Sequence, residues 1–365
     1  MSTAFFYLTD EGKALVHKLC QAHPGEIYGK ENFKNQLQDA FGRYDFLVCV
    51  MAAGIVVRIL APLITHKTSD PGVVVLDQKG RYAISLLSGH LGGANDLARE
   101  MAAISGGQAV ITTATDVAGE LSFDSFAKEH NLAIENIGQL KYISSSLLAG
   151  DQVQVITDYD WPELGRAADQ GKLRIMPASV YIGSRETVKS NSSHANQAQA
   201  AAGQAPAYIP AFPTVVIHEG LILENPPAPV LYLRPRTICA GIGCKRNMDG
   251  ASIKEALTTV LARENISPLS LKCISTIPLK ADEPGIIQTA DYLDLPLTII
   301  PREDIESLDI EDLGIKTSSF VAEQTGVLSV STASSYLAAG RGTILVDKAK
   351  FKGITIALSK CDRPD

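Results

Sequence analysis

Three features of the sequence predict the fold class. Apolar strand-like runs alternate with helical periodicity across short loops near both ends of the chain. A strand–glycine-turn–helix passage occurs in each of those regions, and the pattern between them is looser. Together they predict an α/β protein of three domains. Rossmann-like three-layer α/β units at residues 1–130 and 235–365 flank a small α+β domain at 131–234. A length of 365 residues suits two or three domains better than one.

Composition narrows the function. A hydrophobic share of 45% with 20% charged residues is ordinary for a soluble globular chain. The net charge of −7 argues against nucleic acid as a partner, yet leaves room for an anionic small molecule in a pocket with local arginines and lysines. The six cysteines are scattered, mostly through apolar runs, which predicts reduced buried thiols rather than a disulfide framework. Cys239 and Cys244 have no second Cys or His pair nearby, so no protein metal site is expected. Residues 1–8 lack a basic start and lead into Asp10 and Glu11, so a cytoplasmic protein without a secretory signal is expected. The long apolar run 46–64 is interrupted by Gly54, Arg58 and Pro62 and reads as a soluble strand–turn–helix, so no membrane partner is expected.

In chain order, residues 4–8 (AFFYL) predict a first strand, and Asp10 is placed to cap a helix carrying Ala14, Leu15 and Leu19. A short strand near Ile27 and a helix through Phe33, Leu37 and Phe41 follow. Residues 45–51 (DFLVCVM) have the continuous apolar character of a strand buried on both faces of a parallel sheet, and a helix carrying Arg58 comes after Gly54. The runs 73–76 and 82–87 are strands joined by the turn 77–80. Ser88, Gly89 and His90 end the second of them, and Gly92 and Gly93 open a helix with Leu97, Ala98 and Met101 on one face and Asn95 in its first turn. The unpaired first-turn amides of such a helix suit an anion; the plainer alternative is a capped connection with an exposed histidine. The strand 109–111 runs into Thr113, Thr115 and Asp116, the last also a candidate cap for a helix at 123–128.

Ligands of parallel sheets gather beyond the carboxyl ends of the strands. That rule brings together the loops 52–58, 88–95 and 112–116 as one candidate pocket. Its members are Gly54, Arg58, Ser88, Gly89, His90, Gly92, Gly93, Asn95, Thr113, Thr115 and Asp116, each of which also has an ordinary structural explanation.

The middle domain is expected to hold a helix at 140–148 and short strands at 153–157, 214–218 and 230–233. A mobile loop near 186–206 is rich in Ser, Asn, Gln and Ala, and His194 inside it is incidental. In the third domain a strand at 237–240 ends in the turn Gly241, Ile242, Gly243, Cys244, Lys245, Arg246, Asn247, followed by a helix at 251–262 capped by Asp249 or Ser252. Arg246 occupies the place of the third glycine of a dinucleotide fingerprint, and no G-x-x-x-x-G-K-[ST] occurs. Lys280, Asp282 and Glu283 sit at the next strand-to-helix junction, either as caps or as a second anion-facing rim. Strands at 297–300, 343–346 and 354–358 complete this sheet.

Several of these stretches resemble one family. GIVVRILAPLI followed by residues 70–75, then ISLLSGHLGGANDLA and AVITTATD, is similar to the CbiG-type cobalt-precorrin-5A hydrolases of cobalamin synthesis. LRPRTICAGIGCKRN, ISTIPLKADEPGI and SSYLAAGRGTILVDK resemble that family's C-terminal domain, whereas the middle region carries no matching signature. The chain departs from the family at Asn247, where glycine is common, and over 328–334. Asn tolerates the left-handed conformation nearly as well as glycine.

The resemblance implies a cobalt-containing, partly methylated tetrapyrrole as substrate, with a δ-lactone and many carboxylates. Water opens the lactone, acetaldehyde leaves, and cobalt-precorrin-5B forms. The cobalt belongs to the substrate, so no enzyme cofactor is implied. Lactone opening needs a base for water and donors for the carbonyl oxygen. His90 is the expected base, with Asp116 as alternative or orienting partner, and the Gly92 and Gly93 amides with Asn95 are the expected oxyanion donors. Arg58, Lys245, Arg246 and Lys280 are expected to hold acid arms. Hand-over to other cobalamin-pathway enzymes and a homodimer are compatible partnerships. A non-catalytic corrinoid carrier and a nucleotide-binding α/β protein are the competing readings, the latter disfavoured by its missing fingerprints.

Overall fold

The computed structural model describes residues 2–66, 69–114, 119–179, 212–223, 226–309, 313 and 330–364; the segment 186–206 lies outside them. The chain divides into two compact units, Met1–Phe126 and Ala127–Asp365.

The first unit is built on six strands: β1 Thr3–Tyr7, β2 Glu26–Tyr28, β3 Phe46–Val50, β4 Gly72–Leu76, β5 Tyr82–Leu87 and β6 Gln108–Val110, in the order β2-β1-β3-β4-β5-β6. Successive side chains of β3 and β4 point to opposite faces. Val48, Val50, Val74 and Leu76 therefore pack with Val16 and Leu19 of α1 (Asp10–Ala22) and Leu97 and Met101 of α4 (Ala94–Ser105). Leu47, Cys49, Val73 and Val75 face Leu37 of α2 (Phe33–Phe41) and Val56 and Ile59 of α3 (Ala53–Leu60) on the other side. The continuous apolar runs thus create the expected three layers. The cap of α1 is Thr9 rather than Asp10: the Gly12 amide donates to Thr9 Oγ1 at 3.0 Å, and Asp10 is the first helical residue.

Strand direction corrects one expectation. β1 to β4 are parallel, but the tight turn after β4 reverses the chain, so β5 runs antiparallel to β4, and β6 follows β5. Leu87 at the end of β5 pairs with Val73 near the start of β4. The loops after β5 and β6 therefore leave the sheet at the edge where β3 and β4 begin, and the loop after β3 leaves at the opposite edge. Five-residue strands separate those edges by roughly 15 Å. The loop 52–58 therefore does not share a pocket with the loop 88–95 or with residues 112–114.

The second unit carries two sheets. In the first, β7 (Leu132–Ile134), β11 (Val230–Pro235), β10 (Thr214–Ile217), β8 (Val153–Thr157) and β9 (Leu173–Met176) are neighbours in that order, and β7 alone runs antiparallel to its neighbour. α6 (Leu140–Ala149) and α7 (Pro162–Asp169) belong to this region, which follows α5 (Phe123–Glu129) in the chain. Arg234 is fully buried and donates to the carbonyls of His218 and Leu221 at 2.8 and 3.2 Å, and to Glu135.

The other sheet has the order β14-β13-β12-β16-β15, with β12 Ile238–Cys244, β13 Leu271–Thr276, β14 Leu297–Ile299, β15 Thr343–Phe351 and β16 Ile354–Lys360. α8 (Gly250–Arg263) and α9 (Pro284–Tyr292) share one core with Ile238, Ala240 and Ile242 of β12. Across the sheet, α11 (Ser331–Ala338), which follows α10 (Arg302–Glu306), lies so close to β12 that a Cβ on Gly241 would sit 1.8 Å from the Ser331 carbonyl oxygen. The Gly241–Cys244 stretch was expected as a turn but continues the strand, because β16 pairs with β12 all the way to Cys244 opposite Ile354. Glu219 fastens the two sheets of this unit. Its carboxylate accepts from Thr237 Oγ1 at 2.8 Å, from Lys360 Nζ at 2.9 Å and from the Tyr159 hydroxyl.

Candidate active site

At the carboxyl edge of β5 and β6, the segment from Ser88 to Gly93 folds back on the start of α4. Ser88 takes the left-handed conformation (φ 55°), and its Oγ is buried without a hydrogen-bond partner. A Cβ on Gly92 would lie 2.3 Å from that of Ser88, so the tightness of the turn requires glycine there. The turn caps the helix with its own carbonyls. Gly93 N–H donates to His90 O at 2.9 Å, Ala94 N–H to Ser88 O at 3.2 Å, and Asn95 N–H to Gly89 O at 2.9 Å. The expectation of open first-turn amides is thereby corrected, since Gly93, Ala94 and Asn95 spend theirs inside the turn. Gly92 N–H makes no hydrogen bond among the described residues.

His90 is held from a distant part of the chain. Its Nδ1 lies 2.6 Å from Ser122 Oγ, 3.1 Å from Asp124 Oδ1 and 3.0 Å from Ser125 Oγ. The imidazole is 9% exposed and the Asp124 carboxylate 14%. Burial pushes the Asp124 carboxyl upward, but hydrogen bonds from His90 and Ser122 outweigh it and hold the group below its ordinary range. Asn95, itself buried, donates through Nδ2 to Thr113 Oγ1 at 3.2 Å. One edge therefore gathers Ser88, Gly89, His90, Gly92, Asn95, Thr113, Ser122 and Asp124.

Gly54 and Arg58 are absent from this group. They lie beyond the far end of β3, where Arg58 is exposed and donates to Gly54 O at 3.2 Å within its own helix. Thr115 and Asp116 lie outside the described residues. Ser122, Asp124 and Ser125 were not anticipated. Ser-x-Asp-Ser at a helix start was the one available signal, and it reads equally well as a cap.

The C-terminal candidates form a different kind of site. Glu283 is fully buried and takes a contact from Lys280 Nζ at 3.3 Å, the Met248 amide at 3.3 Å and Arg246 at 4.0 Å. Arg246 also meets Asp282 at 3.0 Å and donates to Leu279 O at 3.2 Å. Two cations thus face two carboxylates, and the cluster balances its own charge. Burial pushes the Cys244 thiol up to about 11, so at neutral pH it is protonated and no nucleophile. Lys245 is exposed and lies against Gly353. Asn247 holds a left-handed backbone (φ 58°), as its place in the sequence suggested. Among the described residues, the nearest atom to a Cβ built on Gly243 belongs to Val330 at 3.8 Å, an ordinary contact distance. No helix among the described residues is long and apolar enough to cross a membrane.

Comparison with known proteins decides the family. The model described as "Cobalamin synthesis G N-terminal" matches residues 35–116, "Cobalamin biosynthesis central region" matches 121–172, and "Cobalamin synthesis G C-terminus" matches 238–359. The cobalt-precorrin-5A hydrolase of Salmonella typhimurium is 31% identical over 98% of this chain and 97% of its own length. The chain belongs to the cobalt-precorrin-5A hydrolase family. A second member, from Priestia megaterium, is 32% identical over 88% of this chain and 80% of its own length. In terms of the hydrolase family's regions, His90 and Asn95 lie in the N-terminal match, whereas Ser122 and Asp124 lie at the start of the central one.

Proposed function

We propose that this chain opens the δ-lactone of cobalt-precorrin-5A with water and releases acetaldehyde, giving cobalt-precorrin-5B in cobalamin biosynthesis. Family membership along nearly the whole chain supports the substrate and the reaction. The one observation that carries the chemistry is an almost buried imidazole at the carboxyl edge of β5 and β6 with a carboxylate at its Nδ1. Such an imidazole suits a base: it titrates near neutrality when free, and a hydrogen-bonded carboxylate stabilises the cation formed when it takes a proton. His90 removes a proton from water, hydroxide adds to the lactone carbonyl, and the ring C–O bond breaks. A proton must then leave the hydroxyl of the two-carbon fragment while the macrocycle takes up the electrons as acetaldehyde departs.

Gly92 N–H and the Asn95 side-chain amide are the oxyanion donors in this reading. Gly93 is not among them. Arg246 and Lys280 are left out of the carboxylate-holding role, because their charges are already met by Asp282 and Glu283. The cobalt enters and leaves within the substrate, no resident cofactor takes part, and the reaction runs in the cytoplasm beside other enzymes of the pathway.

The test is acetaldehyde release from the cobalt substrate by the full chain and by His90→Ala. Loss of a general base costs about 10²- to 10⁴-fold, so that drop in kcat is expected. A variant retaining most of the rate overturns the base assignment. Tight corrinoid binding without acetaldehyde from the unaltered chain overturns the activity in favour of a carrier.

A further inference from the structure

We propose that the groove between α8 and the β15–β16 hairpin binds the carboxylate-bearing edge of a corrin macrocycle, with Lys245 and Lys352 holding the acid groups. This rests on the reading of the chain as acting on a cobalt corrinoid, which supplies the class of ligand; the groove supplies its place.

The groove forms where the end of β12 meets the hairpin turn. Phe351 ends β15 and Ile354 begins β16, so only Lys352 and Gly353 lie between them. Gly353 holds φ 78°, a conformation that favours glycine. The Lys245 amide donates to Gly353 O at 2.9 Å, which ties the residue after β12 to the turn. A Cβ on Gly353 would lie 2.7 Å from Met248 Cε and 3.3 Å from Lys245 Cδ, so both side chains pass close over the glycine. Met248, Ala256, Phe351 and Ile354 make an apolar floor, and the groove encloses about 540 Å³. Small-molecule sites commonly span roughly 300–1,000 Å³. Ile242 and Cys244 of β12 face the same core as α8, so the groove lies across the sheet from Gly241, Gly243 and α11.

Charge decides the ligand. Lys245 and Lys352 are exposed, and neither forms an ion pair among the described residues, unlike neighbouring Arg246 and Lys280. Lys254 and Arg263 border the groove on the side lined by Glu255 and Thr259. Their cationic groups lie over the rings of Tyr292 at 3.0 Å and Phe351 at 5.7 Å. Glu255 is the one carboxylate lining the groove, and Asp249 is turned to the start of α8, where it accepts from Ser252 at 3.0 Å. Cations therefore outnumber carboxylates here, in a chain whose net charge is −7. Ammonium groups on flexible stems suit carboxylate arms of differing reach. The Phe351 ring and the Met248 thioether suit the face of a conjugated ring. An inorganic anion would use the lysines but not the apolar floor.

The experiment measures binding to the full chain by calorimetry with two probes. Cobyrinic acid is a cobalt corrin with free carboxylate arms, and cobinamide is the same ring with amides in their place. Cobyrinic acid should bind more tightly than cobinamide, and added salt should weaken it. Lys245→Ala and Lys352→Ala should each raise its Kd about 3- to 5-fold, the scale of an exposed ion pair, and the double variant about 10-fold or more with a flatter salt dependence. Thr259→Trp, which fills the groove, should weaken both probes. Equal Kd values for the two probes, or a double lysine variant that binds cobyrinic acid as the unaltered chain does, overturn the proposal. If Thr259→Trp does not fold, the two lysines, whose side chains are exposed, still decide it. Acetaldehyde release is measured separately on the cobalt substrate. Its absence, with binding weakened in the lysine variants, removes the activity and leaves the groove; normal release, with binding indifferent to both lysines, removes the groove and leaves the activity.

Discussion

The turn around His90 and the cluster around Glu283 each gather polar side chains beyond strand ends, yet they are built on different principles. Around His90 one carboxylate and two hydroxyls of the described residues meet Nδ1, with neighbouring amides fastened by the turn itself. Around Glu283 the charges meet each other: Lys280 and Arg246 are balanced by Glu283 and Asp282. The first arrangement orients one titratable group, and the second neutralises its own charges. Proximity of polar residues to a strand end does not by itself mean a ligand site; what matters is whether their valences are met within the protein.

The sharpest way to break this comparison is to remove the central charge of the second cluster. Glu283→Gln preserves shape but leaves the almost buried Lys280 ammonium without its close counter-charge. Breaking a buried pair in this way should cost about 3 kcal/mol of stability. Urea unfolding of the full chain reads it as a lower midpoint with an unchanged slope. If stability is unaffected and the KM for the cobalt substrate rises instead, Glu283 belongs to a binding site and the contrast fails.

A weaker effect is expected at Glu219, where the balance of charge can be followed by pH. Burial raises its carboxyl, while Lys360 and the Tyr159 hydroxyl lower it by more, so the native group titrates below its ordinary value. A lowered native pKa contributes stability that is fully present above the ordinary carboxylate range, about 4.3, and is lost as pH falls through the native value. Glu219→Gln should therefore be less stable than the unaltered chain at pH 7, with the gap closing progressively below about pH 4. Melting both proteins across that range checks the sign. A gap that widens on acidification would mean that Lys360 and Tyr159 do not stabilise the carboxylate.

Much of the scaffold was legible because burial repeats along the chain. FLVCV and GVVVL could only be strands covered on both faces, and Leu97, Ala98 and Met101 could only be one face of a helix. Which loops share an edge was not legible. It depends on the reversal between β4 and β5, which the short 77–80 turn implied but whose consequence for Arg58 appears only once the strands are paired. Ser122, Asp124 and Ser125 stand 32 to 35 residues from His90 in the chain, and nothing local ties them to a glycine turn. Gly241 and Gly243 misled for a related reason. A glycine needed for backbone freedom and one needed for close packing look alike until the helix that packs on them is known.

Those two glycines give the smallest test, and it separates packing from ligand binding directly. Both lie in β12 on the same face, two residues apart. A methyl group on Gly241 would meet the Ser331 carbonyl, so Gly241→Ala must push α11 away from the sheet and should destabilise by about 1–3 kcal/mol. At Gly243 the nearest atom of the described residues to a built Cβ is 3.8 Å away, an ordinary contact distance, and strand positions disfavour glycine. Gly243→Ala should therefore change stability by no more than about 0.5 kcal/mol, and with no ligand against that face it should leave KM as it was. An increase in KM without loss of stability would put substrate against Gly243 and return this strand end to the binding surface. Equal destabilisation by the two substitutions would instead mean that α11 crowds the whole strand, and Gly243 would then have the same packing role as Gly241.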